Sequence, residues 1–119
     1  MSLSFYDSYG EAYAYSDDGE TIYTYGGEPV AFIDEDSIYA FSGKHLGFFE
    51  NNQIWDHDGN VILFSDNSSG GPMKPMKALK PMKGLKSLKP LKGLKELKPL
   101  KSIKSLNWSS YTPDDIFKS

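Results

Sequence analysis

Hydrophobic and polar residues follow a pattern in the first 67 residues that recurs every 16 or 17 positions. An apolar–aromatic pair such as Ile22-Tyr23 opens each unit, a glycine follows five positions after the start, and a second apolar cluster and a polar turn come next. Alternation with a period of two is typical of half-buried strands. The four units are FYDSYGEAYAYSDDGET, IYTYGGEPVAFIDEDS, IYAFSGKHLGFFENNQ and IWDHDGNVILFSDN.

Each unit predicts one β-hairpin. The pairs Gly26-Gly27, Ser42-Gly43 and Asp58-Gly59 tolerate the positive φ angles that tight hairpin turns require. Sixteen residues accommodate two strands of about five residues and two turns. Eight strands can close on themselves and remove exposed edges. The sequence therefore predicts an all-β fold, with four pseudosymmetric hairpins in a small closed or nearly closed shallow barrel. An open meander or a set of propeller blades is the alternative.

The pattern changes to a triplet between Pro72 and Asn107, with a small residue or proline, then Met, Leu or Ile, then usually Lys. Prolines at 72, 81, 90 and 99 divide this segment into four nonapeptides. An α-helix would scatter the apolar residues around its circumference and enclose prolines, and a strand would alternate them between two faces. Polyproline II repeats every three residues and accepts proline. We expect a PPII-like or extended tail, with a disordered tail as the alternative.

Charge is separated along the chain although the net charge is only −3. Residues 1–71 contain thirteen acids and one lysine, whereas residues 72–107 contain eleven lysines and one acid. Two oppositely charged segments of one chain are expected to bind each other. We therefore expect the tail to dock on the acidic body with its apolar residues inward, and Trp108 to anchor its end. The candidate docking residues are Met73, Met76, Leu79, Met82, Leu85, Leu88, Leu91, Leu94, Leu97, Leu100, Ile103, Leu106 and Trp108.

This division predicts three segments. Residues 1–71 form the four-hairpin acidic domain, residues 72–107 the basic tail docked on it, and residues 108–119 a C-terminal anchor or cap. Within the last segment, Pro113-Asp114-Asp115 suits a turn or a helix start. Thirty-six residues of polyproline II span roughly 110 Å. Neighbouring hairpins lie only about 10 Å apart, so one nonapeptide per hairpin is expected to leave slack.

Candidate chemistry is sparse. The stretch Asp56–Gly59 places two carboxylates beside an imidazole, which suits a metal or a proton acceptor, but it also occupies a hairpin-turn position. The turn is the favoured interpretation, and His45 is expected on the surface. Ser-His-Asp order, a phosphate loop and zinc spacing are all missing, and cysteine is absent. We therefore predict no enzyme, cofactor or metal. An enzyme would need a central pore lined by Tyr23, Tyr39 and Trp55.

The leading functional hypothesis is a non-enzymatic structural or binding module whose tail binds the body of the same chain. The alternative is association with an anionic lipid surface through the Lys/Leu tail. A second alternative is non-specific nucleic-acid binding, which the lysines allow but the missing arginines and interleaved aromatics disfavour. Neither a membrane-spanning apolar run nor a signal peptide is evident. A cytoplasmic protein, free or peripheral to the membrane, is expected.

Several stretches together resemble one family of bacterial proteins, the fourfold β-flower family. They are the IY…G…VAF repeats, GKHLGFFENNQIWDHDGNVILF at 43–64, SSGGP at 68–72, the KPMK-type triplets and LNWS at 106–109. The resemblance covers nearly the entire chain. It implies a shallow symmetrical barrel of hairpins, and it implies neither an established activity nor catalytic residues.

Overall fold

The computed structural model describes residues 2–118, which contain eight strands and one short helix. Each strand pairs antiparallel with the next along the chain, and β8 pairs with β1, which closes a barrel. The prediction of a closed barrel of four hairpins is confirmed, and the open alternatives are wrong. The elements are β1 (Leu3–Tyr6), β2 (Ala12–Ser16), β3 (Thr21–Thr24), β4 (Pro29–Asp34), β5 (Ser37–Tyr39), β6 (His45–Glu50), β7 (Gln53–Trp55), β8 (Val61–Phe64) and α1 (Pro113–Phe117).

The turn inside each hairpin, called here the hairpin tip, depends on its glycine. In the first tip the Gly10 amide donates to the Asp7 carbonyl at 3.0 Å, and the Asp7 amide donates to the Glu11 carbonyl at 2.9 Å. The other three tips repeat this pair of bonds. A three-residue hairpin loop of this kind places its last residue in the left-handed region, which glycine adopts most readily. The tip glycines are Gly10 (φ 85°), Gly27 (97°), Gly43 (101°) and Gly59 (85°).

A β-bulge interrupts every hairpin at its apolar–aromatic pair. In the second hairpin Ile22 faces Ala31 while Tyr23 faces Pro29, so Val30 is the extra residue. A bulge bends its strand and redirects one side chain. The bulge residues add a layer of core beside the hairpin tips, because three of them belong to the central hydrophobic cluster and Tyr13 packs against it. They are Tyr13, Val30, Leu46 and Ile62.

Mostly aliphatic side chains, together with Phe5 and Phe49, fill the barrel, and most of the other strand aromatics cover its outer wall. Ile22 is fully buried in the central cluster, whereas the next residue, Tyr23, belongs to a separate aromatic cluster. Neighbouring strand residues face opposite sides, which produces this alternation. The hypothesis of a pore lined by Tyr23, Tyr39 and Trp55 is wrong, because these rings lie outside. The aromatics pair between adjacent hairpins as Tyr6–Phe64, Tyr15–Tyr23, Phe32–Tyr39 and Phe48–Trp55.

Helix α1 closes the barrel at the end where the tips lie. The Thr112 hydroxyl accepts from the Asp115 amide at 3.2 Å, and the Asp115 carboxylate accepts from the Thr112 amide at 2.9 Å. This capping box starts the helix at the predicted proline. Phe117 is buried in the central cluster, and the Tyr13 hydroxyl donates to Asp114 at 2.7 Å. None of the helical structure within residues 2–118 is long and apolar enough to cross a membrane.

Removing the Phe117 ring tests whether α1 closes this end of the barrel. We expect Phe117→Ala to lower the free energy of unfolding by about 2–4 kcal/mol, because it opens a cavity at the end of the core. Urea titration followed by tryptophan fluorescence measures the change. Tyr111→Ala is the control, since that ring is half exposed and the loss should stay within about 0.5 kcal/mol. Equal losses in the two variants would show that α1 does not seal the barrel.

Candidate functional site: the contact between tail and barrel

The tail, residues 72–107, forms no helix or strand and encircles the barrel, passing the four hairpin tips in chain order. Its contact points with the tip glycines are nine residues apart, so one nonapeptide serves one hairpin. Thirty-six residues of polyproline II cover roughly 110 Å, which is about the circumference of a circle 35 Å across. The expectation of slack is wrong, because the tail follows the outer edge of the molecule and not the narrower barrel wall. The carbonyl oxygens of Met76, Leu85, Leu94 and Ile103 lie against Gly10, Gly27, Gly43 and Gly59 respectively.

Both ends of the tail are held at the same place, beside β7 and β8. At the start, the Gln53 side-chain amide donates to the Ser69 carbonyl at 2.7 Å, and Gly71 lies against Gln53 and Val61. At the end, Trp108 forms a parallel bridge with Val61 and packs on the aromatic cluster of the last hairpin. The tail therefore makes one complete circuit.

The small residues of the triplets face the hairpin tips. At six of the twelve first positions of the triplets, one of them Glu96, the backbone amide donates to a tip carbonyl at 2.6–2.9 Å. Five of the other six first positions are prolines, which have no amide hydrogen. A Cβ atom at Gly84 or Gly93 would overlap the carbonyl of Gly26 or Ser42. The donor–acceptor pairs are Ala78–Gly10, Gly84–Tyr25, Ser87–Gly27, Gly93–Phe41, Glu96–Gly43 and Ser105–Gly59.

The lysines at the third and sixth positions of each nonapeptide lie over the aromatic rings of the outer wall. Their Nζ atoms are 4.3–5.9 Å from the ring centroids. A cation over a ring face is attracted by the ring quadrupole, and the methylene stem covers apolar surface. The pairs are Lys74 with Trp108, Lys77 with Tyr6, Lys83 with Tyr15, Lys86 with Tyr23, Lys92 with Phe32, Lys95 with Tyr39, Lys101 with Phe48 and Lys104 with Trp55.

Beyond the rings, the ammonium groups reach carboxylates in the loops between hairpins. Hydrogen bonds from Lys101 and Lys98, both at 2.5 Å, lower the pKa of Asp36 to about 2. Each pair is partly exposed and contributes little alone, but the arrangement recurs around the barrel. The ion pairs from tail to body are Lys77–Asp66, Lys83–Asp17, Lys86–Asp17, Lys92–Glu20, Lys95–Asp34, Lys98–Asp36, Lys101–Asp36, Lys101–Glu50 and Lys104–Glu50.

The prediction that the apolar residues of the tail face inward is wrong. Eleven of the twelve are 92–96% exposed, and the last is 77% exposed. A ribbon with three residues per turn has three edges. Its amide edge must meet the tip carbonyls, and only lysine can contact a ring and a carboxylate together, which leaves the apolar edge for solvent. The outward residues are Met73, Met76, Leu79, Met82, Leu85, Leu88, Leu91, Leu94, Leu97, Leu100, Ile103 and Leu106.

His45 contacts the third nonapeptide through its backbone amide and pairs with His57 through its ring. His45 is buried, contrary to the expected surface position, with Nδ1 2.8 Å from His57 Nε2 and Nε2 3.0 Å from Ser37 Oγ. The Glu96 carboxylate accepts from the His45 backbone amide at 2.7 Å. Burial, with the neighbouring His57, lowers the pKa of His45 to about 4. The imidazole is therefore neutral at pH 7.

Asp56 has the predicted turn role. Its Oδ1 accepts from the backbone amides of Asp58 and Asn60, both at 2.9 Å, so this carboxylate is part of the fourth hairpin tip. Among residues 2–118, no group of three or more His, Cys, Asp or Glu side chains is arranged to hold a metal ion.

Sequence reasoning missed the receptor for the lysines. The outer aromatic pairs and the loop acids Asp17, Asp34, Asp36 and Glu50 form it. The available signal was the recurrence of an acidic loop after every second strand, in step with the lysine triplets. Only the outward orientation of the aromatics in the closed barrel connects the two patterns.

Adding one methyl group at a tip glycine tests the close approach of the tail. Gly43 and Gly70 both have positive φ, but a Cβ at Gly43 would overlap the Leu94 carbonyl, whereas Gly70 has open space. We expect Gly70→Ala to cost about 1–2 kcal/mol from backbone strain, and Gly43→Ala to cost about 1–2 kcal/mol more because the tail must shift. Urea unfolding and hydrogen exchange of the Glu96 amide measure both effects. Identical losses, with Glu96 still protected, would contradict the contact.

Acidification tests the buried histidine. The pKa of His45 is lower in the folded protein than its ordinary 6.5, so the unfolded chain binds the proton first and stability falls as pH decreases from 6.5 towards 4. At pH 5 we expect a loss of up to about 2 kcal/mol from this group. The measurement is the urea midpoint against pH for the unmodified chain and for His45→Gln. The variant should show a flatter profile in this window, and parallel profiles would exclude His45 as the cause.

The family comparison agrees with this architecture. The family model described as 4-fold beta flower protein matches residues 3–117, a range that includes the barrel, the tail and α1. No curated protein and no solved structure matches the chain. The shallow barrel of four hairpins that the resemblance implied is the fold found here. The chain belongs to the 4-fold beta flower family.

Proposed function

We propose that the protein is a non-enzymatic binding module in which four hairpins form a receptor for an extended ribbon of small–apolar–lysine triplets, and that its own tail fills the receptor. One observation carries the proposal. The quarters of the barrel offer the ribbon the same three groups: a carbonyl at the hairpin tip, an aromatic pair on the wall and a carboxylate in the loop.

The recognition has the physical features of polyproline binding. An extended ribbon loses little conformational entropy when it docks, and aromatic surfaces hold its side chains. Here the receptor selects a small residue on the first edge, because Gly84 and Gly93 lie against backbone. It selects lysine on the third edge. It makes no demand on the apolar edge, which faces away from the barrel.

Binding within one chain is favoured over binding between chains. The tail is tied at Gly71 and at Trp108, both beside Val61. Short connections of this kind give effective concentrations on the order of millimolar, so several weak contacts act together. A ribbon from another chain would have to displace the entire bound tail.

The lysine contacts disfavour the two alternative functions. Eight of the eleven tail lysines form ion pairs with body carboxylates. A phosphate of nucleic acid or of an anionic lipid would have to compete with these carboxylates, and the acidic body would repel it. In the candidate stretch Asp56–Gly59, Asp56 stabilises a turn and His57 pairs with His45, which supports a non-enzymatic role.

Charge reversal in one quarter tests the proposal. In Lys83→Glu/Lys86→Glu both partners of Asp17 become acidic, so we expect the Gly84 and Ser87 amides to exchange at least about tenfold faster. Adding Asp17→Lys should restore protection by reversing the pairs. Hydrogen exchange of the full-length protein is the measurement.

The matched control is Lys80→Glu/Lys89→Glu, which changes the net charge equally. Within residues 2–118 these two lysines form no ion pair, and their substitution should leave the tail protected. Equal loss of amide protection in both double variants, or no recovery of protection with Asp17→Lys, would contradict the receptor hypothesis.

A further inference from the structure

The outward apolar residues of the tail recur at every third position and form a stripe around the molecule, called here the rim. It comprises the twelve Met, Leu and Ile side chains between Met73 and Leu106, and nothing within residues 2–118 covers them. Single exposed apolar side chains are normal on protein surfaces. Twelve exposed apolar side chains aligned along one edge indicate a site of interaction.

The band that bears the rim is close to electrically neutral. The body carries 1 − 13 = −12 and the tail carries 11 − 1 = +10, and the lysines are paired with acids directly beneath the ribbon. The rim can therefore approach an uncharged apolar phase, since eight of the eleven tail lysines are paired with carboxylates of the body. This charge arrangement favours a partner that is recognised through hydrophobic contact alone.

We propose that the rim adsorbs the protein to lipid bilayers by inserting its leucine and methionine side chains among the acyl chains, independently of headgroup charge. The inference rests on the proposed function, because only the bound tail aligns the twelve side chains. The interaction differs from attraction of free lysines to anionic lipid, since most of the tail lysines contact the rings or carboxylates of the body.

A second copy of the chain fits the rim poorly. The rim is convex, so two copies could meet along only about three side chains each, far below the ~1,200 Å² of a stable interface. Stacking the flat faces would oppose like charges, because the tips carry Asp7 and Asp58 and the opposite loops carry Asp18 and Glu35. Within residues 2–118 these four acids form no ion pair. The rim also lacks the Trp, Tyr and Arg anchors typical of protein interfaces. Fluid acyl chains adapt to a ridge without needing a complementary shape.

Geometry limits the depth and the multiplicity of insertion. The extended backbone has amides without partners in the ribbon itself, so it must stay at the hydrated interface while side chains penetrate. At a depth of about 5–10 Å a flat bilayer touches roughly three residues of a rim this size. Because each nonapeptide contributes three apolar residues, four equivalent arcs are available.

Vesicle flotation of the full-length protein tests the inference. The vesicles are neutral phosphatidylcholine, alone and with phosphatidylserine, at low salt and at about 1 M salt, where charge interactions are screened. We expect equal binding to both vesicles at both salt concentrations. Met82→Ser/Leu85→Ser/Leu88→Ser should lower the bound fraction by about a quarter, since one arc of four is lost. Substituting serine at all twelve positions should lower binding at least about tenfold.

Two controls separate the rim from the tail contact. Lys80→Ser/Lys89→Ser alters exposed residues outside the rim and should leave vesicle binding unchanged. Hydrogen exchange of the Ser87 and Glu96 amides should stay slow in the serine variants, because the substituted side chains do not touch the barrel. Fast exchange in the unmodified protein would overturn the proposed function and the rim together.

The remaining outcomes concern the rim alone. Absence of vesicle binding with a protected tail would overturn the rim inference and leave the tail contact standing. Binding that requires phosphatidylserine and disappears in salt would overturn it by assigning the interaction to lysines. A concentration-dependent dimer that the serine substitutions abolish would also overturn it, because the rim would then join copies of the chain.

Discussion

The structure depends on lysine side chains that satisfy two partners at once. Each lysine at the third or sixth position of a nonapeptide lies over an aromatic ring, and most end beside a carboxylate, as Lys86 does with Tyr23 and Asp17. An exposed ion pair or cation–π contact is weak in isolation. All of these contacts are made by one ribbon that is fixed at both ends. The entropy lost when the ribbon becomes ordered is therefore offset by the contacts together. The aromatic wall is consequently covered by a polar segment.

The hairpin repeat and the shorter tail repeat stay in register because each hairpin crosses the barrel wall twice, whereas the tail runs once along the perimeter. A hairpin needs 16 or 17 residues to cross the barrel wall and return, whereas the tail needs nine to advance a quarter of the circumference. At about 3.1 Å per residue, nine residues cover roughly 28 Å, close to a quarter of the perimeter. The tip glycines join the two paths. Gly27, for example, allows the turn through its positive φ and admits the Leu85 carbonyl through its missing side chain.

The orientation of the tail changes where function is to be sought. The interior of the barrel, its aromatic wall and most of the lysines contact other parts of the chain. The apolar edge of the ribbon, by contrast, is exposed to solvent. A buried leucine stripe would have made the tail a structural element alone. With the leucines outward, the most exposed side chains along the circuit are hydrophobic.

The barrel, the hairpins, their glycine turns and the helix start near Pro113 were predictable from sequence, because they follow from local periodicity and turn chemistry. The triplet pattern likewise determined an extended ribbon. Which edge of that ribbon faces the barrel was not predictable, since hydrophobicity alone favours buried leucine. Tertiary structure decided it: closure of the barrel places residues such as Ile22 inside and the neighbouring ring of Tyr23 outside, close to acidic loops, and that surface binds lysine. Burial of His45 also depends on packing between hairpins, which local sequence does not encode.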